Sequence, residues 1–293
     1  MYLSEILFDT IQRILSGKGI NGSLQIAGPV SGGSINACYK LQAGERCFFL
    51  KVNQLEKYPR MFLVEAEGLK LLGQAGAVRV PSVIAHGAAG MEQFLLLEWI
   101  DRGQTDTFTQ GLLGRQLAGL HRHSHKGFGL EYDNYIGSLP QKNTFCSFWT
   151  DFYVSQRLQP QLQSAVDKGL VSSVLKNEFE NLFKRLDKLY PPEKPALIHG
   201  DLWGGNYMVS LSGEPVLIDP AVSYGHREAD IAMTTLFGGF TKEFYQSYNE
   251  SFPLEAQWEE RLDLWNLYPL LVHVNLFGSG YLGSLQQALR KYL

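Results

Sequence analysis

Apolar residues recur at helical spacing from the start of the chain, where Leu3, Ile6, Leu7, Ile11, Ile14 and Leu15 mark one side of a helix. The period then shortens. Ala37 to Leu41 and Cys47 to Val52 are β-like runs joined by a turn at Ala43-Gly44-Glu45, which reads as a hairpin. Arg60 to Gly73 returns to the helical period, with Met61, Phe62, Leu69 and Leu72 forming an apolar stripe. Val80 to Ile84 and Phe94 to Leu97 read as further strands, completing a five-stranded antiparallel sheet within residues 1–100. The remainder is mostly helical: Phe108 to Leu120 is amphipathic, Phe148 to Leu162 and Leu170 to Leu189 follow, and Pro191-Pro192-Glu193-Lys194-Pro195 breaks the chain. No repeat or low-complexity segment interrupts this order.

Composition adds bounds. A chain of 293 residues buries a full core and suggests two lobes. An apolar fraction of 45% with 19% charged residues is that of a compact soluble protein. Net charge −3 argues against a nucleic acid or a membrane surface as partner. No run approaches the ~18 apolar residues of a membrane span. The first residues carry Glu5 and Asp9 and no basic region, unlike a signal peptide. Cys38, Cys47 and Cys146 are odd in number and lack metal-type spacing, which fits reduced thiols in a cytoplasm.

The chemistry concentrates in Leu197-Ile198-His199-Gly200-Asp201-Leu202-Trp203-Gly204-Gly205-Asn206, followed by Val216-Leu217-Ile218-Asp219-Pro220. Asp, Gly and Asn also cluster in ordinary turns, but here strand-like runs enter and leave on either side. The spacing has the shape of a kinase catalytic loop with a second Asp downstream. Phosphoryl transfer needs a carboxylate to take the hydroxyl proton and oxygen ligands to hold magnesium against the phosphates. Asp201 is the candidate base, and Asn206 and Asp219 are the candidate magnesium ligands.

The surrounding chain supplies partners for that role. Gly28-Pro29-Val30-Ser31-Gly32-Gly33-Ser34-Ile35-Asn36 stands one strand before Lys51, where a phosphate-covering loop belongs, although it departs from Gly-x-Gly-x-x-Gly. Lys51 calls for an acid on the following helix; Glu65 lies on the apolar stripe, and Glu67 is flanked at the same spacing by Leu63 and Leu71. Phe94 to Leu97 runs into Glu98-Trp99-Ile100-Asp101, like a hinge that offers backbone groups to adenine. His121, His123 and His125 alternate at a helix end, with no acidic or thiol ligand close by to complete a zinc site. Asp230 precedes an apolar helix and reads as a cap or an anchor for the catalytic loop. Arg227 and Glu228 form either a surface pair or part of the site. The aromatic-rich final third, with His273 and Asn275, offers a pocket for a polar organic acceptor.

With these residues assembled, the chain resembles the fructosamine kinase (ketosamine-3-kinase) family, within the aminoglycoside and choline kinase-like group. The resemblance rests on Ser31 to Asn36, Phe48 to Lys51, Met61 to Glu67, Phe128-Gly129-Leu130, Asp133 to Gly137 and Gln141-Lys142-Asn143. It continues through Trp149 to Leu158, His199 to Asn206, Asp219-Pro220-Ala221, Gly225 to Met233 and Leu276-Phe277-Gly278. It implies an α+β, two-lobed protein-kinase-like fold, with an N-lobe over 1–100 and a mainly helical C-lobe over 101–293. It implies ATP- and magnesium-dependent phosphorylation of the sugar 3-hydroxyl of small or protein-bound ketoamines, a deglycation repair. Asp201 is then the base, Asn206 and Asp219 hold Mg2+, and Gly32, Gly33, Ser34, Ile35, Lys51, Glu65 and Leu97-Glu98-Trp99-Ile100 bind ATP. The resemblance favours Glu65 over Glu67. Trp203, Tyr224, Arg227 and His273 are the candidate acceptor contacts, and a cytoplasmic monomer is expected.

Departures bound the reading. Asp219-Pro220-Ala221 stands where protein kinases carry Asp-Phe-Gly, and no Ala-Pro-Glu motif or long activation segment follows, which argues against a protein kinase. Two alternatives remain: a kinase for another acceptor, such as an aminoglycoside or choline, and a nucleotide-binding module without catalysis. The acidic run Glu250, Glu255, Glu259, Glu260 and Asp263 would favour a polycationic acceptor, but its helical spacing reads as a solvated face.

Overall fold

The computed structural model describes residues 3–31 and 35–293. The N-terminal helix α1 (Glu5–Gly17) starts at Ser4, whose hydroxyl accepts from the backbone of Leu7. Strands β1 (Leu24–Pro29), β2 (Ala37–Ala43) and β3 (Arg46–Gln54) lead to α2 (Met61–Ala75), then β4 (Val83–Ala89) and β5 (Glu92–Glu98). They form the expected antiparallel sheet of five strands, in the order β1-β2-β3-β5-β4. The strand that periodicity left unplaced is β1, an edge strand with little inward alternation and a bulge between Ile26 and Gly28. Strand β4 begins after Pro81, three residues beyond the expected start, because a proline has no N–H for the ladder.

Both faces of the sheet are covered, which explains the unbroken apolar run in β5. Phe94 and Leu96 pack with Leu7, Ile11 and Leu15 of α1; Leu95 and Leu97 pack with Met61, Phe62 and Leu69 of α2. Lys51 stands opposite Leu95 in the ladder and therefore faces α2.

The helical part begins with α3 (Thr107–Leu120), capped by a reciprocal Asp106–Thr109 pair. A hairpin of β6 (Asn134–Ile136) and β7 (Leu139–Gln141) precedes α4 (Trp149–Phe152), a π-helical turn (Tyr153–Leu158), α5 (Gln159–Asp167) and α6 (Ser173–Phe183). Short strands β8 (Ala196–Ile198), β9 (Tyr207–Val209), β10 (Pro215–Leu217) and β11 (Ser223–Gly225) frame the catalytic stretch, β8 pairing with β11 and β9 with β10. Helices α7 (Glu228–Met233), α8 (Lys242–Ser251), α9 (Trp258–Phe277) and α10 (Leu282–Arg290) complete the chain.

Helix α9 is buried on most sides, as its weakly periodic apolar sequence requires. It contains Pro269, which removes the N–H that would bond to Trp265 O. The Tyr153 hydroxyl, from the π-helical turn, donates to that carbonyl at 3.0 Å and to Leu264 O at 2.9 Å. The acidic run at its start lies mostly on the surface, and Glu250, Glu255, Glu259 and Glu260 are exposed.

Candidate active site

The β8–β9 loop carries the His199 to Asn206 stretch, and its shape depends on glycine. Gly200 has φ +82°, and a Cβ there would lie 2.1 Å from Ala221 O, on the segment after Asp219. Gly205 lies under the Trp203 ring, 2.2 Å from where its Cβ would be. Asp219 itself adopts φ +55°, a costly conformation for a side-chain-bearing residue, at the point where its carboxylate must turn toward Lys51.

Two buried groups hold this loop. Asp230 accepts the backbone N–H of His199 at 2.7 Å and of Gly200 at 2.8 Å, and His121 Nε2 lies 3.1 Å from it. Burial opposes the Asp230 charge, but these donors hold its pKa below the usual carboxylate value. His199 Nε2–H donates to Ile218 O at 2.9 Å, tying the loop to the residue before Asp219; burial lowers its pKa and keeps it neutral. The anchoring role expected for Asp230 is thus visible as hydrogen bonds.

Asp201 and Asn206 face each other at the loop's mouth. Asn206 Nδ2 donates to Asp201 Oδ2 and to Asp201 O, each at 2.8 Å, leaving Asn206 Oδ1 as an acceptor. Burial raises the Asp201 pKa to about 7, the range that suits a general base. Across the cleft, Lys51 Nζ lies 2.7 Å from Glu65 Oε1 and 2.6 Å from Asp219 Oδ1. Burial works against this ammonium, but Asp219 and Glu65 more than offset it and keep the lysine charged. Glu67, its rival in the sequence, is half-buried and faces Lys70 at 4.0 Å instead.

These groups line a single cavity of about 230 Å³. Ile35, Lys51, Glu65, Asp201, Asn206 and Asp219 are among its lining residues, as are Trp203 and His273. Hairpin residues Asn134 to Gly137 and α9 residues Leu276 and Phe277 complete the lining. His273 Nδ1–H donates to Pro269 O at 2.7 Å, and burial lowers its pKa, so the neutral ring presents Nε2 as an acceptor. Trp203, Phe237, His273, Phe277 and Tyr281 form a contiguous aromatic rim, of which Trp203, His273 and Phe277 line the cavity.

Other candidates lie elsewhere. Gly32, Gly33 and Ser34 fall outside the described residues. Leu97, Glu98, Trp99 and Ile100 end β5 and link the sheet to the helical part, and they are not among the cavity's lining residues. Within that link, Arg79 bridges Glu98 and Glu214, and the Trp99 ring lies under Lys40. Two acceptor contacts need correction. The Arg227 fork is buried and used by Glu193 Oε1 and Oε2, Phe252 O and Pro253 O, so it has no reach into the cavity. Tyr224 stacks on His125, away from the lining residues. The three histidines diverge: His121 is buried against Tyr248 and Asp230, His123 is exposed, and His125 stacks on Phe145. No group of metal-ligating residues of that kind occurs among the described residues.

The hairpin residues stand out by no chemistry of their own in the sequence. Their one local signal is Gly137, a turn glycine with φ +56° packed against Leu276.

A sequence model of the fructosamine kinase family matches residues 7–293. A probable ketoamine kinase of Enterococcus faecium is 40% identical over 284 residues, covering 96% of this chain and 99% of the relative. The chloroplastic protein-ribulosamine 3-kinase of Arabidopsis thaliana is 38% identical over 292 residues, covering 97% and 88%. The crystal structure of a Thermobifida fusca protein designated a fructosamine-3-kinase superposes with TM-score 0.85 at 34% identity, covering 97% of this chain and 98% of that one.

Proposed function

The chain belongs to the fructosamine kinase family, and from that premise we propose that it transfers the γ-phosphoryl group of ATP to the 3-hydroxyl of a ketoamine sugar, the adduct that glycation leaves on an amine. The observation that carries this reading is the convergence of Lys51, Glu65 and Asp219 with Asp201 and Asn206 in one cavity. In the reaction the Asp201 carboxylate accepts the proton of the acceptor hydroxyl as its oxygen bonds to the γ-phosphorus. The bond from phosphorus to the ADP oxygen breaks, and ADP leaves with that electron pair. Lys51, fixed by Glu65, orients the phosphates.

The donor set fits magnesium, which prefers oxygen: Asn206 Oδ1 is turned away from its own amide bonds, and the Asp219 carboxylate shares the cavity. Asn206 and Asp219 would hold the ion, which when bound offsets the phosphate charge. Leu97 to Ile100 present backbone to adenine.

The acceptor side supports a ketoamine over a polycationic acceptor, because rings and one neutral imidazole line it. The half-exposed Trp203 and the exposed Phe277 leave the cavity mouth open toward an adduct carried on a protein side chain. The 3-phosphate product is unstable: loss of a C1 proton expels phosphate with its electron pair, and water hydrolyses the resulting imine, so the amine is restored. Free Cys38, Cys47 and Cys146 support a reducing compartment such as the cytoplasm. No helix among the described residues is long and apolar enough to cross a membrane.

The test is ATP turnover with magnesium on a low-molecular-weight ketoamine, an aminoglycoside and choline, with Asp201→Asn as control. Turnover of the ketoamine that collapses in the variant supports the proposal. Turnover of another acceptor alone would refute it.

A further inference from the structure

Beneath the acceptor side of the cavity lies a buried polar network for which phosphoryl transfer supplies no role. It starts at Arg157, in the π-helical turn, which is 5% exposed. Buried charges are ordinarily paired. No carboxylate among the described residues makes a salt bridge with Arg157, and burial pushes its pKa down to about 10. The guanidinium donates instead to Lys142 O, to Asn143 Oδ1 at 2.6 Å and to Ser223 Oγ at 3.3 Å.

Arginine can only donate and a backbone carbonyl can only accept, and together these set the direction of the hydrogen bonds along the network. Asn143 Oδ1 is taken as an acceptor, so its Nδ2 faces the other way and donates to Tyr132 O at 3.0 Å and Asn134 Oδ1 at 2.9 Å. From the other side, Gln141 Oε1 accepts the Tyr268 hydroxyl at 2.7 Å. Gln141 Nε2 donates to Asn134 Oδ1 at 2.8 Å and to Ala221 O at 3.3 Å. Both lone pairs of Asn134 Oδ1 are therefore occupied. Flipping that amide would set its NH2 group against two N–H donors, so only one orientation is allowed.

In that orientation Asn134 Nδ2 donates one hydrogen to Val222 O at 2.9 Å. Its second hydrogen has no partner among the described residues, although the side chain is buried and lines the cavity beside Asp201 and Asp219. The hairpin bearing it is clamped on both sides. Tyr135 OH donates to Pro59 O ahead of α2, and the Val222 bond ties it to the segment after Asp219.

We infer that Asn134 binds the acceptor by presenting one oriented N–H to a neutral sugar oxygen, the carbonyl or hydroxyl next to the reacting one. Arg157 is a positioning residue that, through Asn143, reinforces the polarity that Val222 O and Gln141 also impose on that amide. The inference rests on the ketoamine reading above and adds to it which atom of this protein reads the sugar.

The experiment compares Asn134→Ala, Asn134→Asp and Arg157→Lys with the wild type, using a free fructosamine of lysine. It records KM and kcat, melting temperature, and affinity for a non-hydrolysable ATP analogue. Asn134→Asp keeps the shape and both accepted bonds but replaces the whole amide NH2 with an acceptor, so it loses the free N–H together with the bond to Val222 O, a loss that the melting temperature reads separately. Ketoamine KM is expected to rise about tenfold or more in both Asn134 variants, with nucleotide affinity held within about twofold. Arg157→Lys retains a donor for Asn143 and should raise KM by less, about threefold. An unchanged KM in Asn134→Ala on an otherwise active enzyme overturns this inference alone. Nucleotide affinity falling in step with ketoamine affinity and melting temperature would make the network structural only, and also overturns it. A wild type that does not phosphorylate the ketoamine overturns this inference together with the proposed function.

Discussion

Replacing Asp201 by Asn should make the ligand-free protein more stable while abolishing turnover, and the size of the gain should depend on pH. The carboxyl group titrates near 3.8 when free and near about 7 in the fold, where burial penalises its charge. An acid whose folded pKa is raised costs nothing below its unfolded pKa. Its cost grows as pH rises between the two values and is constant above the folded one. Each pH unit in that window is worth about 1.4 kcal/mol, so the wild type should lose about 2–3 kcal/mol against the variant between pH 5 and pH 7. Asn conserves the shape and an oxygen for the Asn206 amide, so the comparison isolates the charge. In a chain of this size that difference corresponds to a melting-temperature gap of about 3–5 °C. Thermal melts of both proteins without nucleotide or magnesium, at half-unit pH steps, measure it. A gap that does not change with pH, or a variant less stable than wild type at pH 8, would refute the reasoning.

Three further outcomes are expected from the geometry. Asp230→Ala strands the N–H groups of His199 and Gly200, so urea denaturation should show a loss of about 3 kcal/mol or more, with kcat falling further than ATP affinity. Asp230→Asn, which retains one acceptor oxygen, should lose less, and equal losses would argue against two separate bonds. Arg227→Met breaks a buried bidentate pair with Glu193 and should cost about 3–5 kcal/mol with ketoamine KM unchanged; a selective rise in KM would return Arg227 to the acceptor site. Burial lowers the His273 pKa, so its ring stays neutral below the ordinary histidine value. Ketoamine KM should therefore be flat from pH 8 to about 6.5 and rise only below it, a dependence that His273→Gln should remove.

Much of the site was legible in the sequence because its residues are consecutive, or because each requires a partner. The His199 to Asn206 loop is read directly, and Lys51 at the inward face of a strand calls for a carboxylate that Glu65 supplies. The α2-facing position of Lys51 comes from strand alternation, once both faces of the sheet are known to be covered. What stayed hidden depends on tertiary neighbours. Arg227 sits in a promising segment, yet it is consumed by Glu193, which lies in the proline-rich break and gives no periodic signal of its own. Asn134 gives no local hint of a site, since its orientation is dictated by Arg157 and Gln141, which come from other elements. The edge strand β1 escaped because pairing on one side leaves its outward residues free of any alternation.

The hydroxyl of Tyr153, filling the gap that Pro269 leaves in α9, constrains how the two positions can change over time. With proline in place, Tyr153→Phe leaves Trp265 O buried without its donor. With alanine at 269, the helix regains its own N–H, and the tyrosine hydroxyl becomes a competitor for the same carbonyl. Each single replacement thus crosses a mismatch that the double replacement avoids, so the two sites should drift as a linked pair. The order of substitution then matters: a lineage that first regains the helical N–H meets crowding, whereas one that first loses the hydroxyl meets an orphaned carbonyl. The break in the ladder between the Trp265 half of α9 and the His273 half would be inherited with whichever pair survives, and with it the setting of the aromatic rim above the cavity.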